Sequence, residues 1–463
     1  MSNPTSQTHF GDGMKDPHQQ RKESRRAIIS SYLGSTVEYY DFLLYGSAAS
    51  LVFPTLFFGD LDPALGLILS FLTLAAGYVA RPVGGLLFGH FGDKIGRKQI
   101  LFITLMVMGG VSVVIGLLPT YQTIGIAAPI ALVLLRVIQG LAVGGEWAGA
   151  TLMAMEHSGK KSKGLGASIA VSGGPSGAVL ATMVLGLFSL LPEAQFMSWG
   201  WRIPFLLSAI LVIIGLYLRY SVTESPEFEE AKAAEEASPE SSVHTGIPLV
   251  RLFRESSSDI SLGVLAGLAP LFIQSLLATF VLTYAVSIGH SRSDALLMLT
   301  LANVLHIFTI PLMALLSDRF GRRPVMLAGA LVGCIMIWPM FALISHGSPW
   351  MMLIGFIVGN PLIQAVMYGP MGAFISEKFT TRTRYTGLSL TYQLTAVLGA
   401  GFTPLIAQAL LGLGGGGTNT QYISMLFSLL CLISAVGVYW SRETAPSRAS
   451  QTAPLGKVSR STN

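Results

Sequence analysis

Hydrophobic positions in this chain run together in long stretches that are apolar on every face, broken by short polar turns. A helix needs about 20 apolar residues to cross the hydrocarbon core of a bilayer. Measured against that length, the pattern predicts twelve helical spans: 27–55, 64–90, 99–119, 125–152, 165–191 and 201–220, then 260–288, 295–316, 325–345, 350–376, 385–412 and 421–441. A polar stretch at 221–258, with Glu229, Glu230, Glu235, Glu236, Ser241 and Ser242, divides six spans from six. The expected fold class is an all-α membrane protein of two six-helix bundles, 27–220 and 259–441, with that linker between them and tails at 1–26 and 442–463.

Composition agrees. Hydrophobic residues make up 51% of the 463 positions and charged residues only 11%, with a mean hydropathy of +0.61. Soluble domains carry roughly 25% charged residues, so a soluble protein with a very large core is a poor fit. The 51 glycines suit helices in lipid, where small residues let backbones approach. The sequence pI of about 9.1 reflects asymmetry between loops and needs no nucleic-acid partner. With the amino terminus inside, every Lys and Arg except Arg81, Arg136, Arg202 and Arg292 falls on the cytoplasmic side, as the positive-inside rule requires. Both termini are therefore expected in the cytoplasm. The polar first 26 residues show no small-residue cleavage site after an early apolar core and read as a retained tail. Cys334 and Cys431 both lie in apolar stretches, so neither a disulfide framework nor a metal cluster is readable.

A short basic motif recurs. Gly89-His-Phe-Gly-Asp93-Lys-Ile-Gly96-Arg97-Lys98 follows the second span, and Ala314-Leu-Leu-Ser-Asp318-Arg-Phe-Gly321-Arg322-Arg323 follows the eighth. Equivalent positions in two halves point to parallel repeats of six helices, a known transporter build. These residues resemble the 2–3 loop signature of the major facilitator superfamily, with Ala314 departing from its first glycine. Gly34-Ser-Thr-Val-Glu38-Tyr-Tyr-Asp41-Phe42-Leu-Leu-Tyr45-Gly46, Ala80-Arg81-Pro82-Val-Gly84-Gly85 and Arg136-Val-Ile-Gln139-Gly140-Leu-Ala-Val-Gly144-Gly145-Glu146-Trp147 extend the likeness. So do Trp199-Gly-Trp201-Arg202-Ile-Pro204-Phe205, Glu224-Ser-Pro226-Glu227-Phe228 and Arg384-Tyr385-Thr-Gly387. Together they resemble the metabolite:proton symporter family within that superfamily, the shikimate-transporter branch above all. The resemblance implies two pseudo-symmetric bundles in the cell (inner) membrane. It also implies proton-driven import of a small organic acid, such as shikimate or a di- or tricarboxylate, or of a zwitterion such as proline or betaine. Gly173-Gly174-Pro175-Ser176-Gly177 looks like part of an antiporter signature, but Ala178 and Val179 replace its trailing glycines, so it reads as a packing and bending element.

Charged side chains inside a bilayer cost several kcal/mol unless paired or hydrated, which makes each a functional candidate. Glu38 and Asp41 stand one turn apart on the first helix, near the bilayer midplane. Two neighbouring carboxylates in a low-dielectric site resist being ionised together, so one of them can load and release a proton. The bland alternative is a buried ion pair that only fixes packing. Arg136 offers a planar fork for a carboxylate and is the first choice for an anionic substrate, with a permanent bridge to Glu38 or Asp41 as its alternative. Arg81 and Gln139 join it as binding candidates, and Arg81 has the option of snorkelling to the interface. In the second half the candidates are uncharged: Gln274, Asn303, His306, Asn360, Gln364, Tyr392 and Gln393, with Tyr284 and Tyr368 beside them. Tyr45, with Tyr39 and Tyr40, keeps an aromatic cage for a quaternary ammonium open. On the family's pattern Asp93, Arg97, Asp318 and Arg322 form a gate that latches the cytoplasmic ends, and Glu146, close to the cytoplasmic end of its helix, is assigned to that network with Arg97. No nucleotide loop, metal-ligand spacing or serine elbow is present, so neither an enzyme nor a cofactor is expected. The tails are too short for a signalling domain, which argues against a non-transporting receptor or scaffold. The expected partners are a small-molecule substrate, a proton and the lipid bilayer, with the protein acting as a monomer.

Overall fold

The computed structural model describes residues 17–95, 97–158, 162–220, 248–380 and 383–445, with side chains described for 25–88, 99–158, 162–217, 256–380 and 383–445. Among the described residues, twelve long helices form two bundles of six. In the first are α1 (Pro17–Leu51), α2 (Pro63–Ile95), α3 (Arg97–Leu117), α4 (Ala127–Glu156), α5 (Lys163–Phe188) and α6 (Arg202–Tyr220). The second holds α7 (Ser256–Ser287), α8 (Arg292–Phe320), α9 (Arg322–Ile344), α10 (Pro349–Ser376), α11 (Arg384–Leu413) and α12 (Gln421–Trp440). Ten of these are long and apolar enough to cross a membrane, and a bent pair, Glu193–Gly200 with Arg202–Tyr217, makes an eleventh. The remaining helix, α1, is 35 residues long but less apolar. It carries the two acids and a run of Ser, Thr and Tyr that the neighbouring helices bury. Leu, Ile, Val and Phe form the outer surface, Phe308 (68% exposed) and Ile213 (67%) among them. Apolar exposure on that scale marks a lipid-facing belt.

Glycines set the closest crossings. A Cβ at Gly84 would lie 1.9 Å from the Leu141 carbonyl oxygen, and one at Gly140 would lie 2.1 Å from that of Gly77. The backbones of α2 and α4 thus touch, as small-residue interfaces allow in lipid. Gly173 and Gly177 do the same for α5 against α1, meeting the carbonyls of Tyr32 and Thr36 at 2.6 and 2.5 Å. The Gly173–Gly177 segment is a packing element here.

Several helices are irregular where the sequence predicted unbroken spans. The first span stops at Leu51, and Phe53–Phe58 forms a separate short helix because Pro54 at its start cannot continue the ladder. Helix α4 breaks at Gly144–Gly145. Wide π-helical turns interrupt α7 at Leu276–Phe280, α10 at Val358–Gln364 and α11 at Val397–Gly401. Such turns are frequent at functional sites. The helix preceding α7 begins at Pro248, inside the stretch read as linker, and kinks at Ser256. The Glu224–Phe228 motif lies outside the described residues, as do most of the linker and both tails.

Candidate functional site

Helices α1, α2, α7 and α11 line a narrow cavity between the two halves. Helix α1 contributes Glu38, Tyr39, Phe42, Leu43 and Gly46, and α2 contributes Leu74, Tyr78 and Arg81. From the second half come Gln274, Ser275, Thr279 and Tyr392 with small apolar neighbours. Glu38 and Arg81 are the charged groups on the wall. Both are buried, at 4% and 6% exposure.

Behind this wall lies a second layer of charge. The Arg81 guanidinium sits over Phe42 (4.1 Å) and Tyr78 (4.4 Å), and that of Arg136 sits over Phe42 (4.4 Å) and Tyr45 (4.1 Å). Such a contact contributes about 2 kcal/mol when water is excluded. Arg136 Nη1 donates to Gln139 Oε1 at 2.6 Å, and Gln139 Nε2 donates to Ser112 Oγ at 2.9 Å. Its Nε and Nη2 have no hydrogen-bond partner. Gly77 makes room for this arginine, since a Cβ there would stand 2.8 Å from Arg136 Nε. Asp41 is fully buried, accepts a hydrogen bond from Ser208 of α6, and keeps Oδ2 unpartnered.

The acids therefore separate. Lining positions on α1 follow the rows 38, 42, 46 and 39, 43, the four-residue stacking of a helix face. Three residues rotate a helical side chain by roughly 60° from that row, which turns Asp41 towards α6. Asp41, Tyr45, Arg136 and Gln139 accordingly stand behind the cavity wall and not on it. Neither Asp41 nor Arg136 is bonded to the other; Arg136 is held by Gln139 and aromatic faces.

The aromatic-cage residues also part company. Tyr40 donates to the Pro204 carbonyl at 2.6 Å, and Tyr45 pairs with Thr73 at 2.6 Å, leaving only Tyr39 of the three at the cavity. Its hydroxyl meets those of Tyr368 and Tyr392, both at 2.9 Å, and these two are 3.2 Å apart. Trp147 of α4 stacks on Tyr392 with ring centroids 3.6 Å apart and planes 6° from parallel.

Among the second-half candidates, Gln274 and Tyr392 reach the cavity. Asn303 and Asn360 instead bond each other, Asn360 Nδ2 donating at 2.9 Å. His306 and Gln364 are buried side by side between α8 and α10. Gln393 donates to the Gly144 carbonyl at 2.8 Å. None of these five lines the cavity. Polar side chains inside an apolar bundle seek the nearest partner; for Asn303 and Asn360 it is each other, and for Gln393 it is a backbone carbonyl of the opposite half. Tyr284 pairs with Ser345 at 2.5 Å, away from the cavity.

Contacts between halves close both ends of the cavity region. Towards the basic loops, the Gly144 and Gly145 carbonyls freed by the break in α4 accept from Ser389 (3.3 Å), Gln393 and Tyr385 (2.7 Å) of α11. Beyond them, the Asp318 carboxylate caps the start of α5, accepting from the Gly164 and Leu165 amides at 3.3 and 3.1 Å. A helix amino terminus favours an anion by its unpaired N–H groups and its dipole. Arg322, fully buried, binds Asp318 at 2.7 Å and Glu377 at 3.1 Å. Glu443 then accepts from the amides of Arg322 and Arg323 at 2.9 and 3.1 Å. Glu146 is fully buried at the start of the second segment of α4. The side chains of Asp93 and Arg97 lie outside the described residues. At the opposite end Ser50 donates to the Thr279 carbonyl at 2.9 Å, and Arg292 binds Glu193 at 3.1 Å.

Sequence reasoning missed several groups. Tyr78 is three residues from Arg81, a spacing that could have suggested it. Ser275, Thr279, Glu377 and Glu443 carried no signal, because only the meeting of distant helices gives them a role.

Family models match most of the chain: "Sugar (and other) transporter" over residues 27–251 and "Major Facilitator Superfamily" over 262–462. An inner membrane metabolite transport protein of Escherichia coli K12 is 40% identical over 421 residues, 88% of this chain and 93% of the relative. The shikimate transporter of the same organism is 39% identical over 417 residues, covering 89% and 93%. Its proline/betaine transporter is 34% identical over 431 residues, covering 91% and 84%. Among solved structures, a proton:xylose symporter bound to 6-bromo-6-deoxy-D-glucose superposes with a TM-score of 0.72 at 16% identity, covering 92% and 97%.

Proposed function

Because this chain belongs to the major facilitator superfamily of membrane transporters, we propose that it imports a small organic acid together with a proton, by alternating access. The observation that carries this reading is the charge on the cavity wall: one carboxylate, Glu38, and one guanidinium, Arg81. An incoming anion leaves such a cavity with one uncompensated negative charge. Two like charges about 6 Å apart repel by roughly 3 kcal/mol at an effective dielectric of 20. Protonating Glu38 removes that repulsion and leaves Arg81 to meet the substrate carboxylate, so anion and proton enter together. Asp41 stands behind Glu38 with Ser208 on one oxygen and the other unpartnered. It can hold a proton without breaking an ion pair, and we assign it to the relay away from the cavity. Arg136 keeps positive potential behind Phe42, while Gln274, Ser275, Thr279 and Tyr392 meet the uncharged part of the substrate.

The zwitterion reading is weaker, since a quaternary ammonium needs bare aromatic faces. Arg81 already occupies those of Phe42 and Tyr78. The 39% identity to a shikimate transporter favours the acid. By loop charge, the basic end faces the cytoplasm and both termini lie there. Asp318, Arg322, Glu377 and Glu146, with Asp93 and Arg97, are proposed as the latch that holds this end shut. One chain supplies the whole cavity, so a monomer suffices.

The test is uptake of labelled acids into liposomes containing the protein, with an imposed inward proton gradient and an ionophore control. Accumulation that disappears with the gradient is expected. Glu38→Gln should abolish accumulation while leaving exchange of labelled for unlabelled acid across equal pH. Accumulation indifferent to the ionophore, or a Glu38→Gln protein that still concentrates substrate, refutes the coupling scheme.

A further inference from the structure

Resting on the organic-acid reading, we propose that Tyr39, Tyr368 and Tyr392 form a hydroxyl-reading subsite that selects hydroxylated acids over their bare carbon counterparts. Three phenols from α1, α10 and α11 close a hydrogen-bonded ring with sides of 2.9, 2.9 and 3.2 Å. Tyr39 and Tyr392 lie on the cavity wall, with Tyr368 behind them. A phenol donates one hydrogen bond and accepts others. In a closed ring each member donates to the next, so the empty site leaves no donor unpaired.

That arrangement discriminates among groups pressed into it. A ligand hydroxyl both donates and accepts, so it enters the ring as a fourth member and every O–H stays paired. A C–H in the same place breaks the ring and strands a buried donor. Sites built to hydrogen-bond a hydroxyl reject analogues lacking it strongly for that reason. The indole N–H of Trp147 is buried and directed at the Tyr368 hydroxyl, which backs the ring on the side away from the cavity. Arg81, on the same cavity wall as Tyr39 and Tyr392, would hold the carboxylate of the same molecule. The substrate class that results is a small carboxylic acid with hydroxyls on its carbon skeleton.

Because the ring also joins the two halves, a purely structural clamp must be told apart from recognition. The full-length protein in liposomes is assayed with shikimate and with cyclohexene carboxylate, which has the same skeleton and no hydroxyls. Tyr39→Phe, Tyr368→Phe and Tyr392→Phe each delete one hydroxyl and keep the ring's bulk. Wild type should favour shikimate by at least about tenfold in kcat/KM. Tyr368→Phe should raise the shikimate KM about tenfold and narrow the preference for shikimate over the bare acid. Trp147, stacked on Tyr392, provides an optical readout: shikimate should change its emission, the change should be absent in Trp147→Phe and weakened in Tyr368→Phe. Equal losses for both acids in the phenylalanine variants, or a wild type that favours the bare acid, overturn the subsite while sparing organic-acid transport. Failure of the wild type to accumulate any acid of a wider panel overturns the organic-acid reading and this subsite with it.

Discussion

Gly77→Ala adds one methyl group against the buried arginine layer, and its effect can be worked from distances. The new Cβ would stand 2.8 Å from Arg136 Nε, 2.9 Å from Cγ and 3.1 Å from Cδ. Comfortable contacts between such atoms are about 3.5–4.0 Å, so the side chain must retreat by roughly 0.7 Å. It has little freedom to do so. Phe42 and Tyr45 flank its guanidinium, Gln139 accepts from Nη1, and Ser112 holds Gln139 in turn. Overpacking of a well-filled interior costs about 1–3 kcal/mol. Part of that strain moves the guanidinium away from Phe42, the ring that Arg81 shares. Proton-driven uptake should fall about tenfold or more, since each 1.4 kcal/mol corresponds to a factor of ten. Gly110→Ala is the control, because nothing lies within 4 Å of its Cβ. Initial uptake rates and thermal denaturation of both variants in detergent are the measurements. If Gly77→Ala matches Gly110→Ala in rate and in melting temperature, the picture of a rigid, pinned Arg136 is wrong.

Further outcomes follow from other contacts. Arg322→Gln should lower thermal stability sharply, because it removes a fully buried cation that bridges Asp318 and Glu377, and breaking such a pair costs about 3–5 kcal/mol. Glu193→Gln, with a side chain 67% exposed, should shift the melting temperature barely measurably, since exposed pairs contribute about 0–1 kcal/mol; a loss as large as that of Arg322→Gln would contradict the burial argument. Burial pushes the Lys378 ammonium down to about 8, with Asp259 opposing and Arg323 adding to the shift. The folded protein then sheds this proton before the unfolded chain does, so stability should rise between about pH 8 and 10.5. Melting curves of Lys378→Met should lack that component of the rise, and an unchanged pH profile would remove the assignment. Gly177→Ala should destabilise the α1–α5 contact, because its Cβ would meet the Thr36 carbonyl oxygen at 2.5 Å; a melting temperature equal to wild type would count against that close crossing.

What the sequence by itself determined is the bundle and its stock of chemistry. Uninterrupted apolar runs of span length have few physical fates, and the repeated Asp318 and Asp93 motifs revealed two halves before any coordinates. Glu38 and Arg81 were legible because a charge amid apolar neighbours is conspicuous in one dimension. Tertiary structure decided which charges face the cavity. Asp41 and Glu38 look equivalent in sequence, yet a three-residue step falls about 60° short of a full turn, which sends Asp41 to Ser208 and leaves Glu38 on the wall. Asn303, His306, Asn360 and Gln364 are conspicuous polar groups in the sequence, and only the packing of α8 on α10 places them together, away from the cavity lining. The tyrosine ring exists only because α1, α10 and α11 converge, bringing Tyr39 to residues 329 and 353 positions away. Apolar length is a local property that each segment carries alone. Which face of a helix meets a cavity depends on rotation about its axis, and that is set by neighbours distant in the chain.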